Sequence, residues 1–321
     1  MKQNKGREFP ALFDKWGDFM TDISKEILKK YQIRKTKKQK TEFIEFLRAH
    51  FPELKVERGG FPGNRNIVIG DADTAKAVLT AHYDTCAVMP IPNFIMPKKR
   101  MVSLLYSLVL VVPMVLIAVG VINGVDALTD NRALVSSAGM LVYWLLLGLL
   151  MFGPANKHTV NDNTSGVITL VELMTAMAEE ERAQTCFVFF DNEEKGLLGS
   201  AAFAKKHKEV MKNKLLINYD CVSDGDSIML VCTKNVMEEY SEHINASFVP
   251  PEGKAVLIEE AKKTHYPSDQ KNFKKCIGTA AFKKSKFGLY MDRIHTPKDT
   301  VMDERNIDFI VSSTIKFIEK I

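Results

Sequence analysis

The amino-acid sequence predicts an α/β protein with a three-layer α/β/α architecture, in which helices cover both faces of a central mixed, mostly parallel sheet. After residue 160, short runs rich in β-branched and aromatic residues alternate with longer stretches of helical periodicity, as in such sheets. Apolar content of 46% and charged content of 26% are ordinary globular values. Two long uncharged segments between residues 101 and 153 interrupt the pattern, which predicts one domain divided by an apolar insertion.

The individual elements follow from hydrophobic periodicity and from Gly and Pro positions. Before the insertion, the predicted elements are helices at residues 12–30 and 37–50 and strands at residues 66–69 and 77–81. In the second helix, Phe43, Phe46 and Leu47 share one face at helical spacing. After the insertion, the predicted helices are 166–177, 197–210, 236–248, 268–275 and 307–321, and the predicted strands are 185–190, 215–219, 227–232, 255–258 and 278–282.

The insertion, residues 98–153, is predicted to be a transmembrane helical hairpin. Its spans, residues 101–122 and 135–153, hold no charged residue, and roughly 20 apolar residues are enough to cross about 30 Å of hydrocarbon. Pro113 lies inside the first span, where a membrane helix tolerates it. The alternative is a pair of buried core helices, but uncharged runs of this length are uncommon in soluble cores.

The connection between the two spans is short, so both flanks must lie on one side of the membrane. Lys98, Lys99 and Arg100 precede the first span, and Lys157 follows the second. The positive-inside rule then places the flanking domain, residues 1–97 and 154–321 with N-terminal helices in 1–50, in the cytoplasm.

Overall charge and cysteine usage exclude several classes. The net charge of +5 is modest, and the basic cluster from Arg34 to Lys40 fits a solvated helix face better than a lipid or nucleic-acid contact. We therefore expect no nucleic-acid partner. The five cysteines include no C-x-x-C spacing, which predicts reduced thiols and neither a disulfide framework nor a zinc ribbon. The first residues contain no apolar core of a signal peptide.

Glu193 and Glu194 are the most informative pair of residues in the chain. They directly follow the apolar run at residues 185–190, where a strand should end, and a Gly and a new apolar period come next. In α/β sheets, ligands bind at the carboxyl ends of strands. Two neighbouring acids there can divide the work, one holding a metal and the other moving protons.

Further candidate ligands lie at similar positions. His82 and Asp84 follow a predicted strand and, two residues apart, point to one side of it. Asp162 precedes a helix, where it is equally well explained as part of an N-cap cluster. Asp220 ends a strand, and His295 lies in a loop with a Pro turn.

Each of these residues has a structural explanation when taken alone, but the combination predicts a metal centre. Two imidazoles and three carboxylates, from His82, Asp162, Glu194, Asp220 and His295, form a ligand set suited to Zn²⁺ or another first-row divalent ion. Five ligands suit two metal ions about 3.5–4 Å apart that share one carboxylate and a bridging hydroxide. Glu193 would then be the general base.

The motifs AHYDT, NDNTSG, DNEEKGLLGS, NYD and HTPKDT occur in this order and closely resemble the di-zinc aminopeptidases of metallopeptidase family twenty-eight. The resemblance covers about residues 51–87 and 156–321. It implies a zinc-exopeptidase-like fold and two zinc ions. It also implies an exopeptidase that acts on peptides with a free N-terminus.

The resemblance also implies a role for each candidate residue. His82 and Asp220 would be the terminal ligands of one ion, Glu194 and His295 those of the other, and Asp162 the bridging carboxylate. Glu193 and Asp84 would be the catalytic residues, because Glu193 would act as the base and Asp84 would orient His82. A cis peptide bond would follow Asp162.

The sequence departs from the family at several points. The family has a short loop between the first His ligand and the bridging Asp, whereas here the hairpin fills this gap and should bring the site close to the membrane. Gln270 stands in the His position of the family's SDH motif. Ile294 stands where some members place a Tyr that stabilises the oxyanion, and Tyr266 is a candidate replacement.

The sequence therefore predicts a membrane-anchored, cytoplasm-facing zinc aminopeptidase whose partners are peptide substrates and the lipid bilayer. Two alternatives stay open. One is a related amidohydrolase or cyclising enzyme with one zinc, and the other is a non-catalytic peptidase-like membrane scaffold. A transporter is excluded because the apolar segments hold no intramembrane charge. Neither the substrate side-chain preference nor the oligomeric state follows from the sequence.

Overall fold

A computed structural model describes residues 19–321 of the chain. Within them, a single sheet of nine strands forms the centre of the protein. The strands are β1 Lys55–Gly59, β2 Asn64–Ile69, β3 Ala77–His82, β4 Thr185–Phe190, β5 Leu215–Tyr219, β6 Ser227–Cys232, β7 Ala255–Glu260, β8 Cys276–Ser285 and β9 Gly288–Tyr290. The helices are α1 Asp22–Lys30, α2 Lys37–His50, α3 Arg100–Asp126, α4 Arg132–Phe152, α5 Gly166–Ala176, α6 Glu179–Ala183, α7 Leu198–Lys206, α8 Lys208–Met211, α9 Lys234–Ser247 and α10 Glu304–Ile318.

The sheet is mixed, and its middle is parallel. The strand order is β1-β2-β4-β3-β5-β8-β6-β7, with β9 paired to β8. The central strands β4, β3, β5 and β8 run parallel to one another, while β2 and β6 pair antiparallel to the strands at either side of this group. The predicted fold class, with a mixed and mostly parallel sheet, is confirmed.

Helices cover both faces of the sheet, because its central strands are buried on both sides and present apolar residues in each direction. On one face, Leu79 and Phe187 pack with apolar residues of α1, α2, α5, α9 and α10. On the other face, Val78 and Val188 pack against Phe203 of α7 and its neighbours. The protein therefore has the three layers that the sequence predicts.

Two strands and several element boundaries differ from the prediction. The edge strand β1 was missed because its sequence, KVERG, is largely exposed and charged, as edge strands often are. The three-residue β9 is too short to give a periodic signal. The helix predicted at 197–210 is divided at His207 into α7 and α8. The helix predicted at 268–275 is only a 3₁₀ turn at Asp269–Asn272. Residues 12–18 of the first predicted helix lie outside the described residues.

The insertion forms two long helices, α3 and α4, that pack against each other. Gly139 of α4 allows a close approach, since a Cβ atom there would lie 2.3 Å from Ile122 of α3. In each helix, only 11% of the apolar stretch that could cross a membrane is buried within the protein. Both helices are long and apolar enough to cross a membrane, and their exposure excludes the alternative that they are core helices of the α/β domain.

The segments that flank the insertion lie side by side on the domain. Ala87 and Ala155 form an isolated antiparallel bridge. The amide of Asn156 donates to the Cys86 carbonyl over 3.2 Å, and the amide of Val88 donates to the Pro154 carbonyl over 2.9 Å. The chain therefore follows the domain surface from β3 to Met96 before α3 begins at Arg100. It returns from α4 a few residues before the loop that contains Asp162.

Candidate metal centre

The candidate ligands converge at the carboxyl ends of three adjacent parallel strands. His82 is the last residue of β3, while Glu193 and Glu194 follow β4 and Asp220 follows β5. Asp162 comes from the turn that precedes α5, and His295 comes from the loop after β9. The order β4-β3-β5 brings these strand ends together, as expected for a ligand site in an α/β sheet.

Asp162 lies at the centre of the cluster and faces both histidines. Its Oδ1 is 3.3 Å from His82 Nε2, and its Oδ2 is 3.0 Å from His295 Nε2. His82 Nε2 also lies 3.5 Å from Asp220 Oδ1, and His295 Nε2 lies 3.4 Å from Glu194 Oε2. The five side chains thus form two groups of ligand atoms that share the Asp162 carboxylate.

Free carboxylate oxygens indicate that this arrangement suits cations. Asp220 Oδ1 and Glu194 Oε1 are buried and have no hydrogen-bond donor among the described residues. One ligand atom from each of His82, Asp162 and Asp220 lies within 4.8 Å of the others. Buried carboxylate oxygens without donors are costly unless a cation or proton compensates them, so the N and O donor set fits Zn²⁺.

Asp84 supports both sides of the site. Its carboxylate accepts hydrogen bonds from the amides of Glu193 and Glu194, at 2.9 and 3.3 Å. His82 Nδ1 lies closer to the Asp84 backbone carbonyl, at 3.1 Å, than to its carboxylate, at 3.7 Å. Asp84 contacts His82, as the family resemblance implies. It also fixes the turn that carries Glu193 and Glu194, and the sequence does not predict this second contact.

The loop around Asp162 is held by a second buried acid, Asp299. The Asp299 carboxylate accepts hydrogen bonds from the amides of Asn161 and Asp162, at 2.7 and 3.0 Å. The peptide bond between Asp162 and Asn163 is cis, which confirms the expectation from the family resemblance. Asp299 lies in the motif HTPKDT, but a lone Asp in a loop gave no signal that it would contact the backbone of Asp162.

Burial changes the protonation of the acidic pair. It raises the pKa of Glu193 well above the usual value, and the Glu194 and Asp269 carboxylates add to this effect although His82 opposes it. Burial likewise raises the pKa of Glu194 to about 8, against the opposing effect of His295. A raised pKa makes a carboxylate a stronger base, which is the direction that general acid–base chemistry uses.

The histidines and Asp162 stabilise one another in charged form. Burial opposes the charged form of His295, but the Glu194 and Asp162 carboxylates outweigh it and raise its pKa to about 9. The pKa of Asp162 is lowered below its usual range despite burial, because His295 and His82 both hydrogen-bond to it. The carboxylates that favour a proton on these imidazoles also favour a metal cation between them.

Two cationic side chains before β1, those of Arg34 and Lys40, make buried contacts near the site. Arg34 Nε donates to the Tyr83 carbonyl over 2.5 Å, and its guanidinium reaches Thr164 Oγ1 over 3.2 Å. Lys40 is buried and pairs with Asp191. The expectation that the Arg34–Lys40 cluster is a solvated helix face is therefore wrong for these two residues. Lys40 is paired with Asp191, and Arg34 donates hydrogen bonds to the Tyr83 carbonyl and Thr164 inside the domain.

Two further residues, Asp269 and Cys86, lie near the ligands without a role predicted from sequence. Asp269 is fully buried, and neither carboxylate oxygen has a donor among the described residues. Burial raises its pKa to about 7. Cys86 Sγ lies within 4.8 Å of ligand atoms of Glu194 and His295. Burial raises the pKa of this thiol well above its usual value. A neutral thiol is a poor metal ligand, so the oxygen and nitrogen donors remain the better set.

Gln270 and Tyr266, which the sequence singles out as departures from the family pattern, also lie close to the candidate ligands or their strands. Gln270 is buried, and its side-chain oxygen accepts from Asn218 Nδ2 over 3.1 Å. The Tyr266 hydroxyl donates to the Asp220 carbonyl over 2.8 Å. Tyr266 therefore contacts the backbone of a candidate ligand, and its hydroxyl would have to leave this carbonyl to stabilise an oxyanion.

Comparisons with known proteins identify the family and the fold. The family model described as Peptidase family M28 matches residues 148–314. The structure is similar to the Legionella pneumophila aminopeptidase LapA, with 12% identity over 94% of this chain and 69% of that chain and a TM-score of 0.54. It is also similar to Porphyromonas gingivalis glutaminyl cyclase, with 17% identity over 95% of this chain and 99% of that chain and a TM-score of 0.56. No curated protein sequence matches the chain.

Proposed function

The chain belongs to peptidase family M28, and on this premise we propose that it is a membrane-anchored aminopeptidase that uses two zinc ions to hydrolyse the N-terminal peptide bond. Family membership supports a zinc-dependent hydrolytic peptidase. One observation carries the finer proposal. The two oxygens of Asp162 face His82 and His295 separately, at 3.3 and 3.0 Å, which suits two ions bridged by one carboxylate.

In this proposal His82 and Asp220 hold one ion, Glu194 and His295 hold the other, and Asp162 is shared. Bound zinc would supply Lewis-acid polarisation of the scissile carbonyl and a nucleophile at neutral pH. Asp84 and Asp299 position the ligands through the backbone contacts described above.

Glu193 is the proposed base of the reaction. One of its oxygens lies within 4.8 Å of ligand atoms of both His82 and Glu194, so it borders the position of the reacting water. Its raised pKa suits it to take a proton from that water and to return it to the leaving amine. The free amine of the substrate would be held by the carboxylates near the ions.

A panel of substrates on the detergent-solubilised full-length chain tests this function. We expect hydrolysis of aminoacyl amides and dipeptides, at least roughly 100-fold slower hydrolysis of their N-acetylated forms, loss of activity with a chelator and recovery with Zn²⁺. A peptide with N-terminal Gln serves as the control for cyclisation. Faster cleavage of N-acetylated substrates would favour an amidohydrolase, and cyclisation without hydrolysis would favour a glutaminyl cyclase-like enzyme. A zinc-loaded chain that turns over nothing would favour a scaffold.

The proposed membrane anchor is the hairpin of α3 and α4. Its large apolar side chains are mostly exposed, as in Leu104, Leu116 and Leu145, and such a surface is not expected in contact with water. The basic residues Lys99 and Arg100 at its start favour a cytoplasmic position for the domain. This topology keeps the candidate metal centre on the cytoplasmic side.

Excision of the hairpin provides a separate test of the anchor. Replacement of residues 99–153 by a short Gly-Ser linker is expected to move the chain from the membrane pellet to the supernatant without detergent. The domain should still fold, because none of its apolar core clusters includes a residue of α3 or α4. A variant in which only the connecting residues 127–131 are replaced is the control and should remain in the pellet. A full-length chain that stays in the supernatant without detergent would contradict the anchor.

A further inference from the structure

An apolar cavity of about 450 Å³ lies where α3 leaves the α/β domain. Its walls are formed mainly by Phe94, Met96, Val102, Phe287 and Tyr290. The Phe94 ring packs against Tyr106 of α3 at 5.0 Å between centroids and against Tyr290 of β9 at 6.3 Å. This volume falls within the range of about 300–1,000 Å³ that small-molecule sites occupy. None of the candidate metal ligands lines this cavity, so it is a separate site from the metal centre.

The apolar surface of the cavity continues onto the hairpin. Phe287, at the tip of the turn between β8 and β9, is 62% exposed. Met101 and Leu105 in the first turns of α3 are similarly exposed, at 64% and 58%. Contiguous exposed apolar surface of this kind marks a contact site for a membrane or another molecule. If α3 spans the membrane, the first turn of α3 places the cavity at the boundary between headgroups and hydrocarbon.

Two cations without carboxylate partners among the described residues, Lys99 and Arg100, lie at the start of α3 beside the cavity. Lys99 lines the cavity. Among the described residues, neither Lys99 nor Arg100 forms an ion pair, whereas the neighbouring Lys98 pairs with Glu259. Burial and the positive charge of Arg100 lower the pKa of Lys271. The local charge is therefore positive and uncompensated, which attracts an anionic group.

We propose that this cavity holds an acyl chain of an anionic phospholipid, with the lipid phosphate on Lys99 and Arg100. The apolar walls and the cationic rim fit one amphiphile with an acidic headgroup, and the position at the head of α3 makes the surrounding bilayer its source. The inference rests on the proposed membrane anchor but not on the proposed hydrolysis. It assigns the turn between β8 and β9 a function in lipid contact.

Photolabelling of the full-length chain tests the site. The chain is reconstituted in phosphatidylcholine nanodiscs that contain a small fraction of phosphatidylglycerol or phosphatidylcholine with a diazirine in the acyl chain. Labelled peptides are then identified by mass spectrometry. We expect residues 94–96 and 287–290 to be labelled on the order of ten-fold more by phosphatidylglycerol than by phosphatidylcholine. Both lipids should label the middle of α3 and α4 equally, which reports on the anchor independently.

Two double variants decide whether the cationic rim is responsible. The variant Lys99→Gln/Arg100→Gln should bring the two lipids to nearly equal labelling of the cavity. The matched control, Lys205→Gln/Lys208→Gln, removes two exposed cations from α7 and α8 and should keep the preference. Zinc content of each variant reports that the domain is folded. Labelling of α3 and α4 without labelling of the cavity, or equal labelling by both lipids, would overturn the lipid site alone. Absence of label from α3 and α4 would overturn the anchor and the lipid site together.

Discussion

Glu193→Gln is expected to lower kcat for aminoacyl-amide hydrolysis by roughly two to four orders of magnitude while leaving two zinc ions bound. Gln has nearly the same shape as Glu but cannot accept a proton from water. Glu193 lies beside His82 and Glu194, and in the proposed assignment it binds neither ion. Steady-state kinetics together with metal analysis of the same preparation measure both quantities.

A variant of the neighbouring acid, Glu194, tests whether the effect of Glu193→Gln is specific to the base. Glu194→Gln should release the ion held with His295, because Glu194 Oε2 lies 3.4 Å from His295 Nε2. The exposed Asp226, whose side chain is 74% accessible, gives the control Asp226→Asn with unchanged kinetics and zinc content. Near-normal kcat in Glu193→Gln would show that the base lies elsewhere, and Asp269 would then be the next residue to test.

The fold class and the convergence of the candidate site residues could be predicted because their signals are local. The strands β3, β4 and β5 are short, apolar and bounded by polar residues, and each is followed by an acid or a His at the point where it ends. Parallel neighbouring strands must bring those ends together. The sequence order of the motifs then indicated the family, which the match over residues 148–314 bears out.

The supporting contacts could not be predicted because they join segments distant in sequence. Asp299 accepts hydrogen bonds from the amides of Asn161 and Asp162, and Arg34 donates to the Tyr83 carbonyl. Neither a loop Asp nor an Arg in a basic cluster carries a periodic signal. Residues of this kind are distinguished from surface charges only by burial, and burial depends on the packing of the whole domain.

The same reasoning explains the cavity beside α3. Phe94 and Phe287 belong to separate segments, and both line the cavity. The amide of Ile95 donates to the Met291 carbonyl over 3.0 Å, which joins the loop after β3 to the residue that follows β9. The sequence shows where an apolar hairpin begins, whereas the domain surface from which it emerges is determined by the fold. The insertion therefore begins with an exposed apolar surface near the loop that holds His295.

Asp162→Ala is expected to reduce the zinc content from two ions per chain to well below one and to abolish hydrolysis. Asp162 is the only side chain among the five candidate ligands that lies within 3.3 Å of both histidine Nε2 atoms. Its loss leaves each remaining ion with two protein ligands, fewer than the three protein ligands of typical catalytic zinc sites. Metal analysis after gel filtration, with circular dichroism to verify folding, measures the effect.

Asp220→Asn separates the bridging role from a general effect of removing charge. Asp220 contacts only the His82 side of the site, so this variant should keep close to one ion, held by Glu194, His295 and Asp162. Asp162→Asn retains the volume of the side chain and keeps the result interpretable if the Ala variant does not fold. Two zinc ions retained in either Asp162 variant would contradict a shared carboxylate. A wild-type chain that binds only one zinc ion would instead favour the one-zinc cyclising enzyme. A single ion does not need ligands from both the His82 side and the His295 side of the site.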